Sequence, residues 1–489
     1  MFLEIILTLV LLLLFLIVRD RRPANMPPGP WEVPFLGRVP LLLGTDAQKL
    51  REKYGDIVTM RTGSLRCVLL FDFKTCKEVL GRAEFAGRPD VFRDITLDDQ
   101  KTGGIIVSQG TQWTHERRFV LRSLRNLGMG KSRLEEAIML EAKELVDDIR
   151  KYEGRPTTFP NSFITCSLNI VWQMVAGRRY DINSLEVDKL YKANKALQDT
   201  ATPLFFLPMF FPWMRKLPKF VRNLLFKERL LDDFIKYRQQ MVNETIEEHE
   251  RRDVDALDHA EDLITAYLQG MKEGGPDNLF RKGSLMQVIA DLFSAGSDTV
   301  SSSLKWVAFL LARYPDVAER LRQQIDDVVP RDETVSLLHK PKLPLLEAFI
   351  TEMLRFSSLL ELNLQHSALQ DTSILGYFIP KDTSITVCNY SIHFDPQYWR
   401  HPHEFLPDRF LDPAGNFVAP REGIFAFGLG KRQCVGEALA RMELFLFTAA
   451  LVQNFDIRAP RGVTLTDETV NRMGVRCPLD KQLCYVPRG

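Results

Sequence analysis

Phe427-Gly428-Leu429-Gly430-Lys431-Arg432-Gln433-Cys434-Val435-Gly436 decides how the rest of this chain of 489 residues reads. One cysteine follows a glycine-rich loop and two cations. Beyond it Ala438, Leu439, Met442, Leu446, Ala449 and Ala450 recur at three- and four-residue spacing, the pattern of an apolar helix face. Cys434 therefore stands just before a helix start, where free N–H groups and the helix dipole favour negative charge. Lys431 and Arg432 add to that field, and both effects favour thiolate over thiol. Gly430 and Gly436 allow the backbone to come close to a flat partner. A lone cysteine is more often a small buried apolar group; here the flanking Phe, Gly and Arg argue for a metal ligand.

The stretch resembles the cysteine-ligand loop of the cytochrome P-450 haem-thiolate monooxygenases and matches F-x-x-G-x-R-x-C-x-G at every specified position. The resemblance implies haem b, with Cys434 as the axial ligand of its iron and Phe427, Arg432 and Gly436 around the cofactor. A thiolate in that place pushes electron density onto the metal.

Composition agrees with a large globular enzyme. Hydrophobic residues make up 45% and charged residues 26%, and 64 Lys plus Arg against 63 Asp plus Glu leave a net charge of +1. No overall field is available to hold nucleic acid. The seven cysteines are scattered, with no C-x-x-C pair, which points to a reducing compartment rather than a disulfide framework.

Residues 2–18 are almost wholly apolar and are followed by Arg19, Asp20, Arg21 and Arg22. Seventeen residues at about 1.5 Å each span roughly 25 Å, enough for a thin bilayer. The cations after the segment place the remainder in the cytosol; a cleaved signal peptide is the competing reading. Residues 19–40 form a basic, proline-rich hinge (Pro27-Pro28-Gly29-Pro30, Pro34, Gly37), expected to space rather than pack. It resembles the hinge of microsomal cytochromes P-450, and the catalytic domain is expected over 41–489.

Downstream, Val58–Met60 and Leu65–Phe71 read as strands, and 133–151, 226–252 and 284–313 as long helices. The fold class is thus mainly α with a small β part, and the resemblance makes it the cytochrome P-450 fold with one N-terminal membrane anchor. Trp113 and Arg117 stand four apart on one helix face, where an indole N–H and a guanidinium could together hold a carboxylate. They resemble the family's W-x-x-x-R, which contacts a haem propionate; His366 and Arg432 resemble further propionate donors. Gln365 stands where relatives usually have proline. Leu204–Met214, dense in aromatics and followed by Arg215, Lys216 and Lys219, reads as a stretch that dips into a membrane surface.

Ala295-Gly296-Ser297-Asp298-Thr299 interrupts the apolar pattern of the longest helix with residues poorly suited to simple packing. A local opening of that helix is expected here. The run resembles A-G-x-D-T, in which a carboxylate and a hydroxyl deliver protons to dioxygen, giving Asp298 and Thr299 catalytic roles. Glu352 and Arg355, then Asp408 and Arg409, resemble E-x-x-R and P-E-R-F, with Asp408 in place of the common Glu; the resemblance makes Glu352, Arg355 and Arg409 a structural charge network.

The similarity runs from end to end and leans to the animal microsomal family 2 group. It implies an endoplasmic-reticulum monooxygenase acting on a small apolar substrate (steroid, terpenoid, fatty acid or xenobiotic) and O2. No G-x-G-x-x-G fingerprint is present, so electrons come from elsewhere: NADPH–cytochrome P-450 reductase, with room for cytochrome b5 beside it. A haem-thiolate isomerase or dehydratase that uses no O2, and a membrane-tethered haem protein without turnover, stay open; substrate-dependent NADPH and oxygen consumption separates them.

Overall fold

The computed structural model describes residues 22–33, 36–37, 47–91, 97–98, 100, 103–128, 132–200, 203–252, 260–273, 280–479 and 481–488. Helices dominate. The longest, Lys282–Arg313, runs through the middle of the molecule, and the ones that fix the site pack around it: Gly110–Asn126, Ser162–Ala176, Pro344–Ser357 and Glu437–Asn454. One large apolar core joins them, with Trp172, Trp306, Phe309, Phe349 and Phe445 fully buried. The aromatics meet mostly edge to face, as Trp172 meets Phe293 at 5.3 Å.

The β part is small. Strands β1 (Ile57–Thr62), β2 (Leu65–Leu70), β3 (His366–Ser367), β4 (Thr372–Ile374), β5 (Tyr377–Ile379) and β6 (Ser384–Val387) precede β7 (Phe455–Arg458), β8 (Thr469–Arg472), β9 (Val475–Pro478) and β10 (Cys484–Pro487). The main sheet has the order β1-β2-β6-β3, with β2 and β6 parallel and Cys67 opposite Ser384. Through β3 it carries His366 into the interior.

The hinge departs from expectation. Pro28 carbonyl accepts from Thr59 N–H at 2.8 Å, Met26 is buried, and a Cβ on Gly29 would run into the Thr59 carbonyl. This proline-rich run is therefore a strap against β1, because its carbonyls remain available although its prolines donate nothing. The expected anchor, 2–18, lies outside the described residues. Among the described residues no helix is long and apolar enough to cross a membrane.

The long helix also differs in detail: it is α-helical through Ala295–Thr299. Thr299 Oγ donates to Ala295 carbonyl at 2.7 Å and Ser297 Oγ to Phe293 carbonyl at 2.7 Å, so the hydroxyls turn back onto their own helix. Gly296 is explained by packing. A Cβ there would strike the Val171 side chain of the helix Ser162–Ala176.

Candidate active site

A cavity of about 340 Å³ lies between the long helix, the cysteine loop and the helix Glu437–Asn454. Cys434 opens onto it. The loop is held at both ends. Cys434 N–H donates to Phe427 carbonyl at 2.9 Å, and Gly428 N–H to Phe425 carbonyl at 3.2 Å. Gly430, at φ +72°, leaves no room for a side chain against the Leu80 carbonyl. The helix begins at Glu437, three residues after the cysteine, as its spacing predicts.

The charges around the sulfur are arranged otherwise than the sequence suggests. Arg432 turns away to donate to the carbonyls of Ala86 (2.9 Å), Ile105 (3.3 Å) and Ser108 (2.6 Å), and lies 3.8 Å over the Trp113 ring. Lys431 lines a separate groove on the outer face. Burial pushes the thiol pKa up, and Gly436 N–H and Arg117 pull against it. Coordination to a metal deprotonates a thiol outright.

Arg117 is four residues from Trp113 and 5.9 Å from its ring, and it donates to Gln433 carbonyl. Trp113 Nε1 is buried and has no hydrogen-bond partner among the described residues. His366 Nδ1 donates to Phe85 carbonyl at 2.9 Å, and burial, with Arg88 and Arg432 nearby, lowers its pKa to about 3. Arg88 completes the rim, its guanidinium bound to the carbonyls of Ile106, Leu364 and Gln365. Burial, followed by Arg117, lowers the Arg88 pKa to about 9. Arg88 was not singled out from the sequence; its only signal was the Gly87-Arg88-Pro89 run, which reads equally well as a turn.

Three guanidiniums and an imidazole line the cavity, and the Trp113 indole with its orphaned N–H stacks against one of them, Arg432. Such a set calls for an anion, since cations are not gathered in a buried place without one. Toward the cysteine, Cβ atoms on Gly428 and Gly436 would meet nothing within 4 Å, which leaves a bare cradle for a flat partner. The residues suit a haem: Cys434 would hold the iron, Phe427 and Gly436 would lie beside the ring, and Arg117, Arg432, Arg88 and the Trp113 N–H would serve its carboxylates, which His366, its one proton on the Phe85 carbonyl, would join only as the imidazolium.

Over the cavity Thr299, Gly296 and Ala295 form the long-helix wall, with Ile105, Ile106, Leu360 and Leu364 opposite. Asp298 is not part of that wall. Its carboxylate points to the other side of the helix, accepts from Asn194 Nδ2 at 3.2 Å and is buried, which raises its pKa. Two pockets of about 30 Å³, each the size of a water molecule, flank it. The fold thus puts Thr299 at the cavity and Asp298 behind it, since adjacent residues on a regular helix face about 100° apart. No described residue of the 195–215 region lines the cavity.

Glu352 and Arg355 are completely buried and paired, Nε to Oε2 at 2.7 Å and Nη2 to Oε1 at 2.8 Å. Arg409 Nε adds 3.1 Å to Glu352 Oε1. Asp408 lies outside this network and pairs with Arg320 at 2.6 Å. The shorter acid therefore does not disturb the buried triad.

Glu116, between Trp113 and Arg117 on the inner face of the helix, is buried, and this raises its pKa to about 8. Folding then takes up a proton between pH ~4.3 and ~8, so stability falls as pH rises through that window. Glu116→Gln removes the titration and retains a donor and an acceptor. Its melting temperature is expected to match the parent's near pH 5 and to exceed it by a few degrees at pH 8, read by thermal melts at both pH values.

The cytochrome P450 family model matches residues 27–485. Among similar curated proteins, cytochrome P450 2L1 of Panulirus argus is 39% identical over 461 residues, covering 92% of each chain. Cytochrome P450 2J2 of Homo sapiens is 33% identical, with 96% of this chain and 93% of that protein covered. Cytochrome P450 2E1 of Rattus norvegicus is 31% identical, with 95% and 94% covered.

Proposed function

The chain belongs to the cytochrome P450 family, a family of haem-thiolate monooxygenases, and from that premise we propose that it inserts one atom of O2 into a small apolar substrate, the other atom leaving as water, with electrons from NADPH through a separate reductase. The observation that carries the reading is that Cys434, Thr299 and the cationic rim open onto one apolar-walled cavity. Haem, held there, supplies the oxygen-activating chemistry. The chain's own part is to hold the sulfur, to neutralise the carboxylates, to keep water away with Ile105, Ile106, Leu360 and Leu364, and to manage protons. Thr299 Oγ, its proton on the Ala295 carbonyl, offers a lone pair at the wall, and Asp298 acts from behind through Asn194 and the flanking water-sized pockets. Adding substrate to the haem-loaded protein with reductase is expected to raise NADPH and oxygen consumption together, with hydroxylated or epoxidised product. Product formed without oxygen uptake would favour an isomerase or dehydratase instead.

The outer groove, about 910 Å³, is lined by His115, Arg117, Arg118, Arg122, Arg125 and Lys431. It suits an acidic flavoprotein such as NADPH–cytochrome P-450 reductase, or cytochrome b5, by charge. Lys431→Glu is expected to lower turnover severalfold at low ionic strength and to flatten its salt dependence, while the spectrum of the haem is unchanged; steady-state rates across a salt series test this.

The reading extends to a membrane. Residues 2–18 serve as the anchor to the endoplasmic reticulum. Leu204, Trp213, Phe220 and Leu224 are each more than half exposed beside Arg215, Lys216 and Lys219, as a surface that meets lipid would be. Deleting 2–18 is expected to weaken vesicle binding without abolishing it.

A further inference from the structure

His393 ends the short helix Asn389–His393 and is completely buried. Both of its ring nitrogens are engaged. Phe425 N–H points at Nε2 from 2.8 Å, and Ser358 Oγ lies 3.0 Å from Nδ1. A backbone N–H only donates, so Nε2 carries the lone pair, and the neutral ring must hold its proton on Nδ1 and give it to Ser358. Burial, then Arg355 and Arg476, presses the pKa down to about 3, so this tautomer holds through the ordinary pH range.

Phe425 begins the cysteine loop. Its carbonyl takes Gly428 N–H, and two residues on, Phe427 carbonyl takes Cys434 N–H. The loop is thus hung in two steps from one imidazole nitrogen. On its other side His393 is fixed by the buried charge network, because its own carbonyl accepts from Arg355 Nη1 at 2.7 Å. Ser358, which receives the Nδ1 proton, follows Arg355 by three residues at the end of the same helix.

We propose that His393 is a positioning residue for the axial thiolate, the link through which the Glu352–Arg355 pair sets where the cysteine loop holds its sulfur. The inference rests on Cys434 as the iron ligand. Without the Nε2 acceptor, Phe425 N–H is left buried and unsatisfied and the loop must shift to pair it. The movement reaches Phe427 and with it the backbone of Cys434.

The test compares His393→Ala, His393→Gln and His393→Asn in haem-loaded protein, reading only the population that has bound haem. A Gln Oε1 reaches the place of Nε2 and accepts from Phe425. An Asn Oδ1 reaches only the place of Nδ1. Reduced protein under carbon monoxide is followed at mild heat for conversion of the thiolate-type Soret band to the band of a thiol or other ligand, and the reduction potential is measured alongside. His393→Ala and His393→Asn are expected to convert about tenfold faster than the parent, the usual size of an outer-shell effect on a metal site. His393→Gln is expected to recover most of the parental lifetime. A role in folding alone would lower the amount of haem protein and leave the lifetime of what remains unchanged, which would overturn the proposal; so would Gln behaving no better than Asn. If His393→Ala yields no protein, the Gln–Asn pair decides. The parent's own thiolate-type band checks the ligand independently, so failure of the ligand assignment is told apart from failure of this inference.

Discussion

Cys434→Ser is expected to abolish the thiolate-type absorbance of the reduced, carbon-monoxide-bound protein and to reduce monooxygenation by at least about a thousandfold. The reason lies in what else the cavity offers. Among the described residues no group of three or more His, Cys, Asp or Glu stands ready to hold a metal, and of the cysteines only Cys434 is exposed, the other six being buried. His393 does not replace it, because its lone pair is taken by Phe425 N–H. A serine hydroxyl has nearly the same shape but ionises far less readily than a thiol. The variant is expected to fold and to keep the rim of Arg88, Arg117, Arg432 and His366, and therefore to bind haem weakly without the sulfur. The loss belongs to transition-state stabilisation, and a thousandfold corresponds to about 4 kcal/mol. Retention of the thiolate-type band by the serine variant would remove Cys434 from its assigned place.

Much of this site was readable because its chemistry is written in local spacing. A loop that must bring a sulfur to a flat partner needs Gly430 where a Cβ would meet the Leu80 carbonyl, so the motif is a record of sterics. The pairing of Trp113 with Arg117 follows from the helical repeat. The long helices were legible from their period, and 282–313 differs from the expected 284–313 only at one end. What failed depended on direction. Adjacent letters in Ala295-Gly296-Ser297-Asp298-Thr299 suggested adjacent roles, but the helix stays regular and carries Asp298 away from the cavity toward Asn194. Gly296 read as a loosened turn and is a packing contact with Val171, a partner 125 positions away in the chain that no local pattern reveals. Arg88 was passed over because a cation in a Gly-Arg-Pro loop normally faces water. Its burial depends on carbonyls at 106, 364 and 365 that only the tertiary fold brings together. Arg432 illustrates both cases: its place in the motif was plain, yet it points at Trp113 rather than at the sulfur.

The E-x-x-R pair draws its weight from complete burial. Arg355→Ala is expected to destabilise the fold by about 3–5 kcal/mol, the cost of leaving one member of a buried ion pair without the other. Glu352 would keep Arg409 Nε and Leu406 N–H but lose both hydrogen bonds of the fork. The carbonyls of His393 and Pro402 would lose their donor at the same time, and that of Glu404 would keep only Arg409 Nη2. Against a total stability on the order of 5–15 kcal/mol this is a large share, so the expected result is little or no haem-loaded protein at 37 °C and a steep fall in yield even at low temperature. Arg355→Lys is expected to fail nearly as badly, since a single ammonium cannot span a bidentate carboxylate and three carbonyls at once. Removing both charges with Glu352→Ala and Arg355→Ala is expected to cost less than the sum of the two single changes, because no buried charge is then left unpaired at that helix. Soluble haem-protein yield and denaturant midpoints for the four proteins of this cycle measure the coupling. A double variant whose loss equals the sum of the single losses would mean that the two side chains act independently, in contradiction to the geometry that joins them.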